Sequence, residues 1–388
     1  MEASTKIPVY VQKGDCITPL GFGFEKNIEK VENGVSAISL NEANHIDSTP
    51  FYGATINPFV LEHRFSESNI KGVFTPLEKM MLLAVESIKK EYGKLFNEKC
   101  GLIVSSTKGN IQALENDDFS TYYLHQLAKK IGKTIGIDEE PVVLSNACVS
   151  GIMAISVAKR MIQVGRYDHV VIVAGDSFSK FVFSGFQSFQ AVAEKPCQPY
   201  DEDRTGITLG EAAAAMFVTK DKKLFQEIPH FEILGDSSIN DANHISGPSR
   251  TGEGLYRSVS NALKEAKINA SEIDVISAHG TATNYNDEME AQAFNRLQLE
   301  KKPLYSLKGY FGHTLGTAGL LETVVALGCA ARNNIPQSIG YKKHGVTLPL
   351  NVTKEKIQKE VNVVLKTASG FGGSNTAVIF KKCGNHEK

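Results

Sequence analysis

Four times in this chain an apolar, β-branched run breaks into a glycine-rich turn. The segments are PVVLSNACVSG (141–151), DVISAHGTAT (274–283), PLYSLKGYFGHTLGTAG (303–319) and TASGFGGSN (367–375). A short apolar run bounded by turn residues suits a strand buried on both faces, and such strands belong to layered α/β architectures whose helices cover the sheets. GLIVSS (101–106) and HVVIVAG (169–175) read as further buried strands. TPLEKMMLLAVESIKKEYG (75–93) has helical apolar spacing and a glycine stop. Residues 149–164 and 314–332 read as two helices that are apolar on most sides and therefore enclosed by protein.

Those two enclosed helices stand at equivalent points, Cys148 just before the first and His313 just before the second. This repetition predicts two related halves, residues 1–240 carrying the cysteine and 241–388 carrying both histidines. The join falls in the region where the polar stretch KDKKLFQEIPH leads into a new strand, FEILGD. No low-complexity linker intervenes, so the halves are expected to share an interface.

Composition excludes more than it selects. A net charge of −1 gives no field for nucleic acid or an anionic membrane. The run 314–331 approaches membrane length but contains Glu322, which favours a helix buried in protein. The first residues lack the basic-then-apolar order of a signal peptide. Six scattered cysteines show neither a CxxC pair nor regular spacing, which predicts no disulfide framework, no zinc site and a reducing, cytoplasmic setting.

A buried cysteine ordinarily packs as a small hydrophobe, which suffices for Cys329 in mid-helix. Cys148 differs. It sits where a strand turns into a helix, among Ser145, Asn146, Ser150 and Gly151, and orphan amides at a helix start favour a thiolate. His279 ends a strand-like run before GTAT, and His313 follows Gly312 at the start of a helix. Glu322 is costly to bury alone, and Lys308, five residues before His313, is its natural partner. In GFGG (370–373) the glycines let a backbone N–H approach a ligand closely. With the N–H of Cys148 it would make a two-donor oxyanion hole, each donor lowering an acyl-transfer barrier by about 3 kcal/mol.

Nearly the whole chain resembles the beta-ketoacyl-acyl carrier protein synthases of the elongating, Cys-His-His type, members of the thiolase superfamily. The likeness is carried by FTPLEKMMLLAVESI (74–88), NACVSG (146–151), PYDEDRTGITLGE (199–211), DANHISGPS (241–249), HGTATNYNDEMEA (279–291), KGYFGHTLGTAGLLE (308–322) and GFGGSN (370–375). It implies a thiolase-like α/β fold of two related halves in an α-β-α-β-α layering. Residue by residue, it implies Cys148 as the acyl-accepting nucleophile, His279 and His313 as the decarboxylation pair, and Lys308 with Glu322 as supporting charges. Phe371 matches the residue whose amide completes the oxyanion hole and whose ring gates the acyl pocket. Thr281 and Thr283 match pantetheine-contacting threonines, with Ser246 at a position often occupied by Thr. Phe186 and Leu315 would line the acyl tunnel, with Lys108 near its far end.

The activity implied is decarboxylative condensation of a Cys-bound acyl group with malonyl-acyl carrier protein, in fatty acid, polyketide or aryl polyene-type biosynthesis, without a metal or redox cofactor. The partners implied are acyl carrier protein, through its phosphopantetheine, and a second subunit, either a copy of the chain or a chain-length-factor-like relative. Three departures tilt the expectation toward a specialised pathway: the polar N-terminal strand VYVQKGDCITPLG, Ser369 where an aromatic residue is common, and Lys108 in SSTKGNI. Thiolases and initiating condensing enzymes share the fold but resemble Cys-His-Cys and Cys-His-Asn patterns, against which GHTLGTAG argues. Chain-length-factor subunits usually lack the nucleophile.

Overall fold

The computed structural model describes residues 7–116, 120–224, 229–241 and 247–383. Ten strands form its framework. The first five are β1 (Tyr10–Thr18), β2 (Cys100–Ser105), β3 (Val142–Leu144), β4 (His169–Asp176) and β5 (Ala212–Thr219). The second five are β6 (His230–Asn240), β7 (Val275–Ser277), β8 (Leu304–Tyr305), β9 (Val363–Gly370) and β10 (Ser374–Cys383). Their spatial order is β8-β7-β9-β10-β6-β1-β5-β4-β2-β3. Within each group of five the order outward from the junction is the same: first, fifth, fourth, second, third. The directions repeat too. In each half the three outer strands are parallel and the two inner ones antiparallel. The halves join through β1 and β6, over the register pairs Tyr10↔Glu232 and Val11↔Phe231.

Side chains along each central strand alternate between two cores, as the period of two requires. Val170 and Ile172 on β4 face the middle layer, while Val171 and Val173 face an outer one. The outer layer of the first half holds α1 (Pro76–Tyr92), started by a reciprocal Thr75–Glu78 capping box. The middle layer holds α2 (Ser150–Gln163) and, from the other half, α7 (Ala318–Ala331). The outer layer of the second half holds α4 (Glu253–Ala266) and α5 (Asn284–Arg296). Two smaller helices, α3 (Lys180–Ser188) and α6 (Lys308–Phe311), lie beside the site described below. The result is the expected five-layered α-β-α-β-α order. By strand order β6 opens the second half. We therefore propose that the halves divide before His230, somewhat earlier than the 240/241 division read from the sequence.

Three elements are shorter than their apolar patterns suggest, the two strands for a hydrogen-bonding reason. β3 stops at Leu144, and the Asn146 amide turns to Ser150 Oγ at 2.7 Å. β7 stops at Ser277, and the amides of His279 and Gly280 turn to the Glu290 carboxylate at 2.9 and 2.7 Å. The helix expected from 314 begins as α7 only at Ala318, after a 3₁₀ turn at Leu315–Thr317. The two strand shortenings leave Cys148 and His279 in loops at the carboxyl ends of β3 and β7, where α/β sheets offer their crevices. Among the described residues no helix is long and apolar enough to cross a membrane.

Candidate active site

The turn from β3 into α2 is strained and tightly held. Ala147 adopts φ 43°, a left-handed conformation that costs a residue with a Cβ about 1–2 kcal/mol. Ser150 compensates by accepting the Asn146 amide and donating to the Ala147 carbonyl at 2.6 Å. Cys148 is thereby presented just before α2. Its counterpart in the second half arrives through the contact of α2 with α7. A Cβ at Gly151 would lie 2.6 Å from Leu320 N, and one at Gly319 would lie 2.5 Å from Ile152 N. The two helices meet backbone to backbone, and His313 comes to rest with Nε2 3.1 Å from Cys148 Sγ.

Hydrogen bonds fix the tautomers of both imidazoles. His313 Nδ1 accepts the Leu315 amide at 3.3 Å, so its proton is on Nε2. Lys308 Nζ has three acceptors: His279 Nδ1 at 3.3 Å, His279 O at 2.7 Å and Glu322 Oε1 at 2.7 Å. An ammonium has three hydrogens to give and no lone pair, so His279 Nδ1 is also an acceptor and its proton is also on Nε2. The two rings stand edge to face with centroids 5.4 Å apart.

Burial and cations shape the proton affinities. His279 is held well below the usual imidazole range, first by burial and then by Lys308, His313 and Lys366. His313 is held well below it by burial, then by Lys308 and Lys366. Both rings are therefore neutral at physiological pH. Cys148 departs from the sequence expectation of a resting thiolate. Burial pushes its thiol up to about 11, against the opposing pull of Lys308 and a hydrogen bond from the Phe371 amide. Desolvation outweighs both, and the resting sulfur is a thiol.

These groups open onto one cavity of about 450 Å³. Cys148, His279 and His313 line it together with Phe186, Thr281, Thr283 and Phe371. The ring of Phe371 stacks on Phe186 at 5.6 Å and meets Phe189 edge-on at 5.5 Å. The hydroxyls of Thr281 and Thr283 lie 2.9 Å apart. Gly370 approaches the Cys148 backbone so closely that a Cβ there would lie 3.2 Å from Cys148 N. The amides of residues 148 and 371 are thus neighbours across this contact.

Other expected residues are elsewhere. Leu315 is buried with Phe178, Val182 and Phe183 behind the cavity wall and does not line it. The Lys108 side chain is exposed and also lies outside the lining, with its amide 3.4 Å from Asp176 Oδ1. Ser246 lies outside the described residues.

Sequence reading missed three supports. Lys366, fully buried on β9, donates to the second Glu322 oxygen at 2.6 Å. A lysine inside the apolar run VVLKTAS was the available signal. Glu290 and Asp287 on α5 bind the amides of His279, Gly280 and Thr281, and so hold the histidine loop. Asp176, at the end of β4, accepts the amides of Thr107 and Gly316 and the hydroxyls of Ser106 and Thr107, tying the 106–108 loop to the turn after His313.

The chain matches the sequence model of the beta-ketoacyl synthase N-terminal domain over residues 94–223 and that of the C-terminal domain over 230–342, together more than half its length. It is 27% identical to a protein of Schizosaccharomyces pombe provisionally described as a mitochondrial 3-oxoacyl-[acyl-carrier-protein] synthase, over 95% of this chain and 97% of that one. It is 34% identical to 3-oxoacyl-[acyl-carrier-protein] synthase 2 of Rhizobium meliloti, over 62% of this chain and 60% of that one. Among solved structures it resembles a ketosynthase in complex with its chain length factor from Xenorhabdus doucetiae. There the TM-score is 0.84 at 23% identity, covering 97% of this chain and 98% of the other.

Proposed function

The chain belongs to the beta-ketoacyl synthase family, and from that premise we propose the following course for a decarboxylative condensation in this cavity. The single observation that supports it most is the convergence of one thiol and two neutral Nε2–H donors on one cavity.

In the first half-reaction Cys148 Sγ attacks a carrier-bound acyl thioester. The carbon–sulfur bond to the carrier breaks, an acyl–Cys148 thioester forms, and the thiol proton leaves with the carrier thiol. The amides of Cys148 and Phe371 stabilise the tetrahedral oxyanion, which develops on the side where Gly370 nears the nucleophile. In the second half-reaction malonyl-acyl carrier protein enters the same cavity. Its carbon–carboxylate bond breaks, carbon dioxide leaves, and the electron pair becomes an enolate on the thioester oxygen. His279 and His313 donate their Nε2 hydrogens to that oxygen. The enolate carbon attacks the acyl–Cys148 carbonyl, the amides again hold the oxyanion, and collapse releases the 3-ketoacyl product. One solvent proton restores the thiol. Neutral imidazoles suit this role, because their ring protons are already aimed and Lys308 occupies the other side of His279.

Thr281 and Thr283 line the cavity and are assigned to the pantetheine arm. Phe371 and Phe186 are assigned to the acyl entrance. Lys108 keeps a proposed role only where an acyl chain runs toward the 106–108 loop. Changing it to Ile and comparing acyl chain lengths tests that directly. The subunit is proposed to work as a two-fold dimer or as a heterodimer with a chain-length-factor-like relative. β3 ends the sheet as an open strand, which is a template for pairing across an interface. The six cysteines are free thiols, which fits a reducing compartment such as the cytoplasm.

The test is stepwise. Incubation with acyl-acyl carrier protein should add the acyl mass to Cys148, and malonyl-acyl carrier protein should then remove it as 3-ketoacyl product. No acyl adduct at Cys148 would overturn the reading.

A further inference from the structure

The strand β9 is buried along its length except at Gly370, yet it carries Lys366 at its centre. This side chain is 0% exposed. Its Nζ lies 2.6 Å from Glu322 Oε2, 2.9 Å from Thr367 O, 3.3 Å from Ser277 O and 3.4 Å from Ala278 O. Burial lowers its proton affinity from the usual lysine range, Glu322 pulls it back up, and all four neighbours are acceptors, an arrangement that suits an ammonium. Lys308 donates to the other Glu322 oxygen and to His279 O, each at 2.7 Å. Glu322 is their shared carboxylate, with one oxygen to each. Two cations on one anion leave one positive charge in excess, deep in the protein and beside two imidazoles.

An unpaired buried charge is expensive and is not expected without compensation. Here the excess has a use. Ser277 and Ala278 are the two residues before His279, so Lys366 grips the backbone that delivers this histidine while Lys308 grips its ring. We propose that Lys366 is a positioning residue of the condensation site: with Lys308 it brackets Glu322, and the excess positive charge keeps His279 and His313 as neutral Nε2–H donors. This rests on the condensation reading above.

Glu290 is a second carboxylate that acts through space on Lys308 and Lys366, but the charges that act on the two imidazoles are those of Lys308, Lys366 and the rings themselves. Glu290, on α5, is engaged by the His279 and Gly280 amides, Tyr200 Oη and Asn286 Nδ2, on the backbone side of His279. Asp287 beside it is pushed up to about 7 by burial and by Glu290. Tyr200 and Tyr305 are buried phenols held above their usual range by burial, and therefore neutral. Cys148 beyond His313 is a thiol, and Asp176 is spent on the amides and hydroxyls of the 106–108 loop and Gly316.

The consequence has a sign. Lys366→Met removes one cation, the excess charge falls to zero, and both imidazoles accept a proton more readily. A protonated Nδ1 cannot accept from Lys308 or from the Leu315 amide, so the donor geometry is lost on the acid side. The acid limb of malonyl decarboxylation should move toward neutral pH by about one unit, a tenfold change in proton affinity. A second change to Glu322→Gln in the same chain leaves one ammonium with a neutral partner. It restores the excess charge and should move the limb back toward its original position.

The experiment measures malonyl decarboxylation against pH, with Cys148 acylation recorded in parallel, for the unchanged enzyme, Lys366→Met, the milder Lys366→Gln and the double variant. A shifted limb that the double variant restores is the expected result. A uniform loss of activity with an unmoved limb in a folded variant would make Lys366 a packing residue and overturn the proposal. Absence of acylation and decarboxylation in the unchanged enzyme would instead sink the condensation reading itself. Should neither of those single variants fold, histidine NMR of the unchanged enzyme and of Lys366→Ala decides. An imidazolium at pH 6 in the unchanged enzyme, or rings equally neutral in both, refutes the proposal. Rings that stay neutral Nε2–H in the unchanged enzyme but become protonated at the same pH in Lys366→Ala uphold it.

Discussion

Gly151 on α2 and Gly319 on α7 are the point at which the two halves of the chain touch backbone to backbone, and this contact sets the distance from Cys148 to His313. A Cβ on either glycine would stand within 2.6 Å of a backbone nitrogen of the opposite helix, where no real Cβ is found. The helices would have to part, and Cys148 and His313 lie in the turns that lead into them. Gly151→Ala and Gly319→Ala should each destabilise the fold by about 1–3 kcal/mol through overpacking. Acyl loading should fall by about a hundredfold in what remains folded, as for a misplacement of about one ångström. Thermal unfolding and single-turnover loading measure the two effects. Normal loading in a chain that carries either alanine would show that the contact does not govern the pair.

Cys148 should react as a buried thiol. Its folded pKa is raised by desolvation, so the thiolate fraction at neutral pH is small and grows as pH rises toward about 11. Alkylation of Cys148 by iodoacetamide should accelerate with pH through the ordinary thiol range without levelling off there. A plateau reached by neutral pH would show that the start of α2 outweighs burial. Cys148→Ala, a small change, should leave the fold intact and abolish the acyl-enzyme.

His279→Ala and His313→Ala should each reduce decarboxylation by about a hundred- to a thousandfold, the usual effect of removing one oxyanion donor. Acyl loading should fall less in both. Loading followed by malonyl consumption in a single turnover separates the steps. Undiminished malonyl consumption in either variant would contradict the assignment.

Phe371→Ala keeps the amide and removes the ring that stacks on Phe186 and Phe189. Loading should persist, while discrimination among acyl groups of different length or bulk should weaken. An unchanged preference across a chain-length series would remove the ring from the acyl entrance.

The convergence of Cys148, His279 and His313 on one cavity was legible because its signals are local. A strand, a turn and a helix start are each written within about ten consecutive residues, and Cys148, His279 and His313 each occupy such a segment. The pairing of Lys308 with Glu322 was legible for another reason, since an acidic residue inside an apolar helix needs a cation. The same logic applied to the other side of the ledger would have flagged Lys366 in VVLKTAS, because a lysine in a buried strand needs an anion. What could not be read was the outcome of tertiary burial. The start of α2 favours a thiolate, but burial in the folded protein raises the thiol instead, against the Phe371 amide and Lys308. Leu315 falls behind the cavity wall because its turn takes φ 53° and sends its amide to His313. Nor does any local pattern announce that Gly151 will meet Gly319, 168 positions later in the sequence.

The central claim is that one thiol and two imidazoles act in sequence on two carrier-bound substrates. Intact-mass spectrometry of the enzyme tests it most directly, first after acyl-acyl carrier protein and then after malonyl-acyl carrier protein. The account requires an acyl adduct on Cys148 that persists until malonyl-carrier is added and then disappears as one equivalent each of carbon dioxide and 3-ketoacyl-carrier forms. In His279→Ala the adduct should form and then remain. An adduct on any other residue, or one discharged as readily without malonyl-carrier, would contradict the account.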